Sequence, residues 1–146
     1  MIEKYFEDYT NKYYEMKKAL KEYIEAKEDY YHLTGISIDD MPKSNKKPLG
    51  LDDLLGNIEK LNDEYIARNK ELEEEKEKCR KDIRMLKNPI HRAIIEYAYL
   101  NFESNKDIAE SLCEYHKKNY TLGYIKILKL KAVSNFNELI TKYNLI

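Results

Sequence analysis

Apolar residues recur along this chain at helical intervals. At the start, Ile2, Phe6, Tyr9, Tyr13, Met16, Leu20 and Tyr23 alternate steps of four and three. That is the narrow seam of a coiled coil rather than the broad face of a globular helix. It predicts a helix over residues 3–33, roughly 46 Å long at ~1.5 Å per residue. Tyrosine in so many seam positions leaves hydroxyls that need a partner or water, so a loose seam with exposed edges is expected. Residues 34–50, TGISIDDMPKSNKKPLG, carry Gly35, Pro42, Pro48 and Gly50 and predict a polar loop, long for a helix–helix connection. The seam resumes with Leu51, Leu54, Ile58, Leu61, Tyr65, Leu72, Cys79, Ile83 and Leu86, with Arg68 and Glu75 standing at seam positions. Two long seams joined by one loop predict an antiparallel helical hairpin over residues 1–87. The stretch ELEEEKEKCRKD in its second arm is too polar to be buried on its own.

From residue 88 to 146 the pattern changes to three shorter amphipathic segments. Asn88-Pro89 opens the first, with proline at a first helical position where its missing N–H costs nothing. Ile90, Ala93, Ile94, Tyr97 and Ala98 make its predicted buried stripe. Ser104 followed by Asp107 looks like an N-cap with an acidic third residue, leading into a short helix that buries Ile108, Ala109 and Leu112. The turn after it reads HKKNY, and Thr121 is a natural N-cap for the last helix. There the inward face is Ile125, Leu128, Ala132, Phe136, Leu139 and Tyr143, with Lys126, Lys129 and Lys131 off it. The whole chain reads as all-α: a long N-terminal antiparallel helical hairpin, then a three-helix module of helix-turn-helix shape.

Charge adds a direction. The net charge of 146 residues is −1, but residues 87–146 carry +3 and residues 1–86 carry −4. A modestly basic C-terminal module permits nucleic-acid contact without demanding it. Lys outnumbers Arg 22 to 4, and Tyr occurs 14 times, the imprint of an AT-rich genome such as that of a low-GC bacterium or its phage. Lys43, Lys46 and Lys47 cluster in the 34–50 loop, more simply a solvated loop than a binding patch. Cys79 and Cys113 are the only cysteines, and no signal peptide or membrane-length apolar run accompanies them, so a reduced cytoplasmic protein without membrane contact is expected.

Catalytic chemistry is not legible. There is no Gly-rich phosphate loop and no nucleophile motif. Capping and the helix dipole account for Asp52-Asp53, and Asp39-Asp40 is only a second adjacent pair. Cys113 and His116 stand at i, i+3, but two ligands do not make a zinc site, and Cys79, His32 and His91 add no paired spacing. No cofactor, no metal and no enzymatic activity are expected.

Several residues carry a family resemblance. They are Pro89 and Arg92, Ile94-Ile95, Tyr99-Leu100, Asp107-Ile108-Ala109, Thr121-Leu122-Gly123-Tyr124-Ile125-Lys126 and Ala132-Val133. On these, residues 88–136 resemble the region-four helix-turn-helix of sigma factors, and more closely the small phage-encoded transcriptional regulators of the RinA and ArpU type. The upstream helix, the loop GISIDDMPKS and the second charged helix are similar to an uncharacterised phage protein family with the same layout. The resemblance implies a phage or prophage transcriptional regulator that binds double-stranded DNA in a bacterial host cell. Lys117, Lys118, Lys126, Lys129 and Lys131 would contact phosphates, flanked by Arg92 and Lys106. Thr121 would open the recognition helix, and Tyr124 and Lys126 would reach base edges.

Two departures point elsewhere. The connection from Cys113 to Tyr120 is longer than the family's turn of about three residues. Ile127 and Leu128 occupy positions where region-four readers carry polar residues; Leu128 fits the core, but Ile127 and Leu130 lie on another face. These fit a protein-facing surface. The alternative is therefore a phage-encoded, anti-CRISPR-like inhibitor of a host factor such as RNA polymerase or a defence nuclease complex, with Ile127 and Leu130 as its contacts. A third possibility is a structural coiled-coil adaptor. Apolar surface left over on helix one and at Ile127 and Leu130 predicts a homodimer.

Overall fold

The computed structural model describes residues 1–40 and 51–146, and the side chains of all of these but 34–40 and 51. All regular structure among the described residues is helical. The elements are α1 (Ile2–Tyr5), α2 (Glu7–Asp40), α3 (Leu51–Ile83), α4 (Pro89–Ile95) running into a π turn (Glu96–Leu100), α5 (Asn105–His116) and α6 (Leu122–Tyr143). No described helix is long and apolar enough to cross a membrane.

The first expected helix differs at both ends. It is interrupted at Phe6, which has φ −88° and ψ 3°. The interruption is one residue wide, because the N–H of Phe6 still donates to the Ile2 carbonyl and that of Thr10 to the Phe6 carbonyl. At its far end α2 continues through Asp40, so residues 34–40 are helix where a loop was expected. Gly35 costs a helix only about 1 kcal/mol, whereas the stronger breaker is Pro42. The rest of the expected loop, with Lys43, Lys46 and Lys47, lies outside the described residues.

The chain divides into two compact units. One comprises Met1–Asn11 and Glu73–Ile146, the other Lys12–Leu72. The first unit holds nearly all the buried side chains among the described residues. Ile94, Ile95, Ile108, Leu112, Ile125, Ala132 and Phe136 are sealed from solvent between α4, α5 and α6. The N-terminal segment closes this core. Phe6 stacks on Tyr99 at 5.1 Å and on Phe136 at 5.7 Å, and Tyr5 meets Phe136 edge-on at 5.1 Å. The tyrosine hydroxyls find partners, as burial requires. Tyr9 donates to the Leu100 carbonyl at 2.7 Å, and Tyr5 to Asp82 at 2.5 Å. Cys79, Ile83 and Leu86 are buried in this unit too, and Arg80 Nε reaches Glu96 at 2.9 Å.

The buried stripe after Pro89 keeps Ala93 and Ile94 of the one expected and differs in the rest. His91, Ala93, Ile94, Ile95 and Leu100 are buried, whereas Ile90, Tyr97 and Ala98 are half-buried. The π turn accounts for the part of the shift that follows Ile95. The N–H of Asn101 bonds to the Glu96 carbonyl five residues back, and the wider turn changes the phase of everything after it. In α6, Ile140 is buried where Leu139 and Tyr143 were expected; Leu139 is half-buried and Tyr143 exposed. The inward stripe simply keeps stepping by four.

In the second unit, Glu15 pairs with Arg68 at 3.3 Å, and the rings of Tyr23 and Tyr65 stack at 6.5 Å. Arg68, the charge at a seam position, is thus held by Glu15 and also by Glu71 at 3.7 Å. Among the described side chains only Ala19 and Leu72 are buried here; Leu20, Tyr23, Leu54, Ile58, Leu61 and Tyr65 remain half-buried.

Candidate nucleic-acid interface

Local chemistry starts and stops each helix of the C-terminal module. The Asn88 side chain accepts from the Ile90 N–H at 2.9 Å, with Pro89 at the first position. Ser104 accepts from the Asp107 N–H at 3.3 Å, and Thr121 from the Tyr124 N–H at 3.2 Å. Each cap satisfies an amide that the helix itself leaves open. At the end of α5, Lys117 takes the left-handed conformation, φ 57°, and the Lys118 N–H donates back to the Leu112 carbonyl at 3.1 Å. This stop signal usually needs glycine.

The connection between α5 and α6 is accordingly shorter than expected. Cys113, Glu114, Tyr115 and His116 add a last turn to α5, leaving only Lys117, Lys118, Asn119 and Tyr120 before the cap. His116 anchors that extra turn, its ring Nε2 lying 3.2 Å from the Tyr97 hydroxyl of the π turn. Burial, more than the nearby carboxylates of Glu103 and Glu96, holds the Tyr97 hydroxyl above its ordinary pKa. It is therefore a neutral hydrogen-bonding group.

With Ile125, Leu128, Ala132, Phe136 and Ile140 turned inward, the opposite side of α6 is fixed by a step of about 100° per residue. Gly123, Ile127, Leu130 and Ser134 run along its centre, all exposed. Ile127 is 50% and Leu130 72% exposed. Lys126 lies on one flank, Tyr124 and Lys131 on the other. Lys129 is half-buried, on the Lys126 side but nearer the core. Tyr124 packs edge-on against Tyr120 at 5.0 Å, which fixes one side of its ring. Lys117, Lys118 and Thr121 are exposed at the entrance to α6, and Lys106 is exposed in the first turn of α5. The outer surface of α6 is therefore an apolar strip bordered by cations.

Arg92 has a task that sequence reasoning missed. It is half-buried, and its Nη1 donates to the Leu86 carbonyl at 2.7 Å, tying α4 to the segment that enters it. His91 was also missed. It is buried, with the Asn135 amide 3.1 Å from its Nδ1. Burial first, and the Lys131 charge second, lower its pKa. A polar residue on an otherwise apolar face was the available signal.

Cys79 offers no nucleophile. Burial, followed by the Glu75 charge, pushes its thiol up to about 12, and a protonated thiol is inert. An open groove of about 570 Å³ runs beside Leu130, lined by Met1, Val133, Ser134, Asn137 and Thr141 among others. No family model matches this chain, nor does a curated protein or a solved structure.

Proposed function

We propose that residues 88–146 form a helix-turn-helix carried on an antiparallel helical hairpin, and that α6 docks on double-stranded DNA in a phage or prophage transcriptional regulator. The observation that carries this reading is the arrangement of α5, a four-residue turn and a capped, outward-facing α6 with exposed Lys117, Lys118, Lys126 and Lys131 around it. Lysines so placed suit phosphates on either side of a groove, while the first turns of α6 face the base edges. Tyr124 and Lys126 reach for polar edges. Ile127 would meet thymine methyl groups, the apolar feature of the major groove.

The apolar strip also supports a second reading. Leu130, 72% exposed at the centre of the outer face, suits a protein surface better than a phosphate backbone. On that reading α6 inhibits a host factor such as RNA polymerase or a defence nuclease complex.

A salt-titrated binding assay on duplex DNA separates the two. For a DNA reader, Lys126→Ala weakens binding to all sequences and flattens the log–log salt slope by about 1. Tyr124→Ala instead relaxes sequence preference more than affinity. If no duplex binds even at ~50 mM salt, where non-specific association is strongest, the DNA reading fails. Loss of partner binding in Ile127→Asp, with the fold intact, then supports the inhibitor.

A further inference from the structure

Leu139 was expected in the core, yet it is half-buried. It lines a cavity of about 420 Å³ between the segment that enters α4 and one flank of α6. Lys131, Asn135 and Leu139 stand on one line of α6, four residues apart, which places the cavity on the Lys131 flank. Both walls belong to the unit of Met1–Asn11 and Glu73–Ile146. Met85, Leu86 and Leu139 make the apolar part of the lining, and Met85 is 37% exposed. Lys87, His91 and Glu138 contribute the polar part, with Asn135 beside His91.

His91 is only 8% exposed, and its ring is the buried polar group of this lining. Its Nδ1 accepts from the Asn135 Nδ2 at 3.1 Å, so the proton of the neutral ring sits on Nε2. That N–H has no partner among the described residues, and Nε2 is not one of the side-chain atoms sealed from solvent. A buried ring thus presents one unused donor to the cavity it lines, a cost that a bound acceptor removes. Lys87 and Glu138 carry opposite charges on the same lining. Among the described residues neither has an ion-pair partner, so they do not neutralise each other. The lining suits a ligand with an anionic acceptor for Lys87 and His91, a cation for Glu138, and an apolar body. An anion alone would be left facing Glu138. A hydrocarbon alone would leave the His91 donor unused.

We infer that this cavity binds a small zwitterion with an apolar side chain, an aliphatic α-amino acid. Its carboxylate meets Lys87 and the His91 Nε2–H, its ammonium meets Glu138, and its side chain lies on Met85, Leu86 and Leu139. The site uses none of the residues placed to contact DNA. It does not depend on what the outer face of α6 binds.

The experiment is isothermal titration of the full chain, without DNA, with L-leucine. Leucine binds saturably, one per chain. Isocaproate, which is leucine without its ammonium, and isoamylamine, which is leucine without its carboxylate, each bind about tenfold more weakly, because each forfeits one charge-assisted contact. In Glu138→Gln, leucine binds no more tightly than isocaproate; in Lys87→Gln, no more tightly than isoamylamine. Both residues are exposed, so neither change disturbs the core. Glu138 also borders the groove beside Leu130, and Leu130→Ala leaves the leucine affinity unchanged. No saturable heat at roughly 10 mM leucine, where even millimolar affinity would register, overturns the proposal. So do analogues that bind as tightly as leucine, full affinity in either charge variant, or loss of affinity in Leu130→Ala.

Discussion

Tyr9 joins the N-terminal segment to the π turn through one hydroxyl. It donates to the carbonyl of Leu100 at 2.7 Å, and both residues are buried. Tyr9→Phe removes the donor and leaves the carbonyl in an apolar site, so urea unfolding should show a loss of about 1–3 kcal/mol. His91 makes a second residue-scale prediction. The Asn135 Nδ2 can only donate, so the His91 Nδ1 that faces it at 3.1 Å accepts, and the ring is neutral. Burial and the Lys131 charge hold the His91 pKa below its ordinary 6.5. As pH falls, the unfolded chain takes up this proton before the folded one does. The His91 contribution is therefore complete above pH 6.5 and is lost as pH drops through the lower, folded value. Denaturation midpoints measured across that range should decline toward acid, and His91→Gln should decline less. An equal decline in both would place the acid sensitivity elsewhere.

At the scale of elements, the sequence was most legible where structure is made locally. Ser104 and Thr121 cap the helices they were expected to cap, and Pro89 stands at a first helical position, because a cap concerns only residues within one turn. Phase was less legible. The π turn at Glu96–Leu100 leaves no mark in EYAYL; it is set by what its neighbours need, including the Tyr9 hydroxyl and the Tyr97–His116 contact. The length of α5 was misread for a related reason. No glycine ends it, and Lys117 adopts the left-handed stop at φ 57° instead. That conformation costs a residue with a Cβ roughly 1 kcal/mol, so Lys117→Gly should raise stability by about 0.5–1 kcal/mol. If α6 reads DNA, the same change should lower duplex affinity by removing a cation beside it. Thermal melts and binding titrations on the one variant would then move in opposite directions.

Across the whole molecule, burial is divided unevenly. Among the described side chains, the unit built from Met1–Asn11 and Glu73–Ile146 contains nearly every buried one, and Lys12–Leu72 contains two. The seam pattern does not reveal this, since Phe6 and Leu20 occupy equivalent positions in it, yet Phe6 is buried and Leu20 only half-buried. Amides of Lys12–Leu72 should therefore exchange faster with deuterium than those of α4 and α6, because local opening exposes little apolar surface there. The aromatic cluster at the N-terminus has a further consequence, in the order of events during synthesis. Ile2, Phe6 and Tyr9 leave the ribosome early, but Tyr99, Leu100 and Phe136, against which Phe6 and Tyr9 close, are more than ninety residues later in the chain. Contacts so distant in sequence form late and slowly. Until Tyr99, Leu100 and finally Phe136 are made, Phe6 and Tyr9 lack the groups they close against, and nascent chains with exposed aromatics are prone to associate wrongly. Translation pauses or early termination before residue 136 would thus yield a product whose helices can form but whose core cannot close.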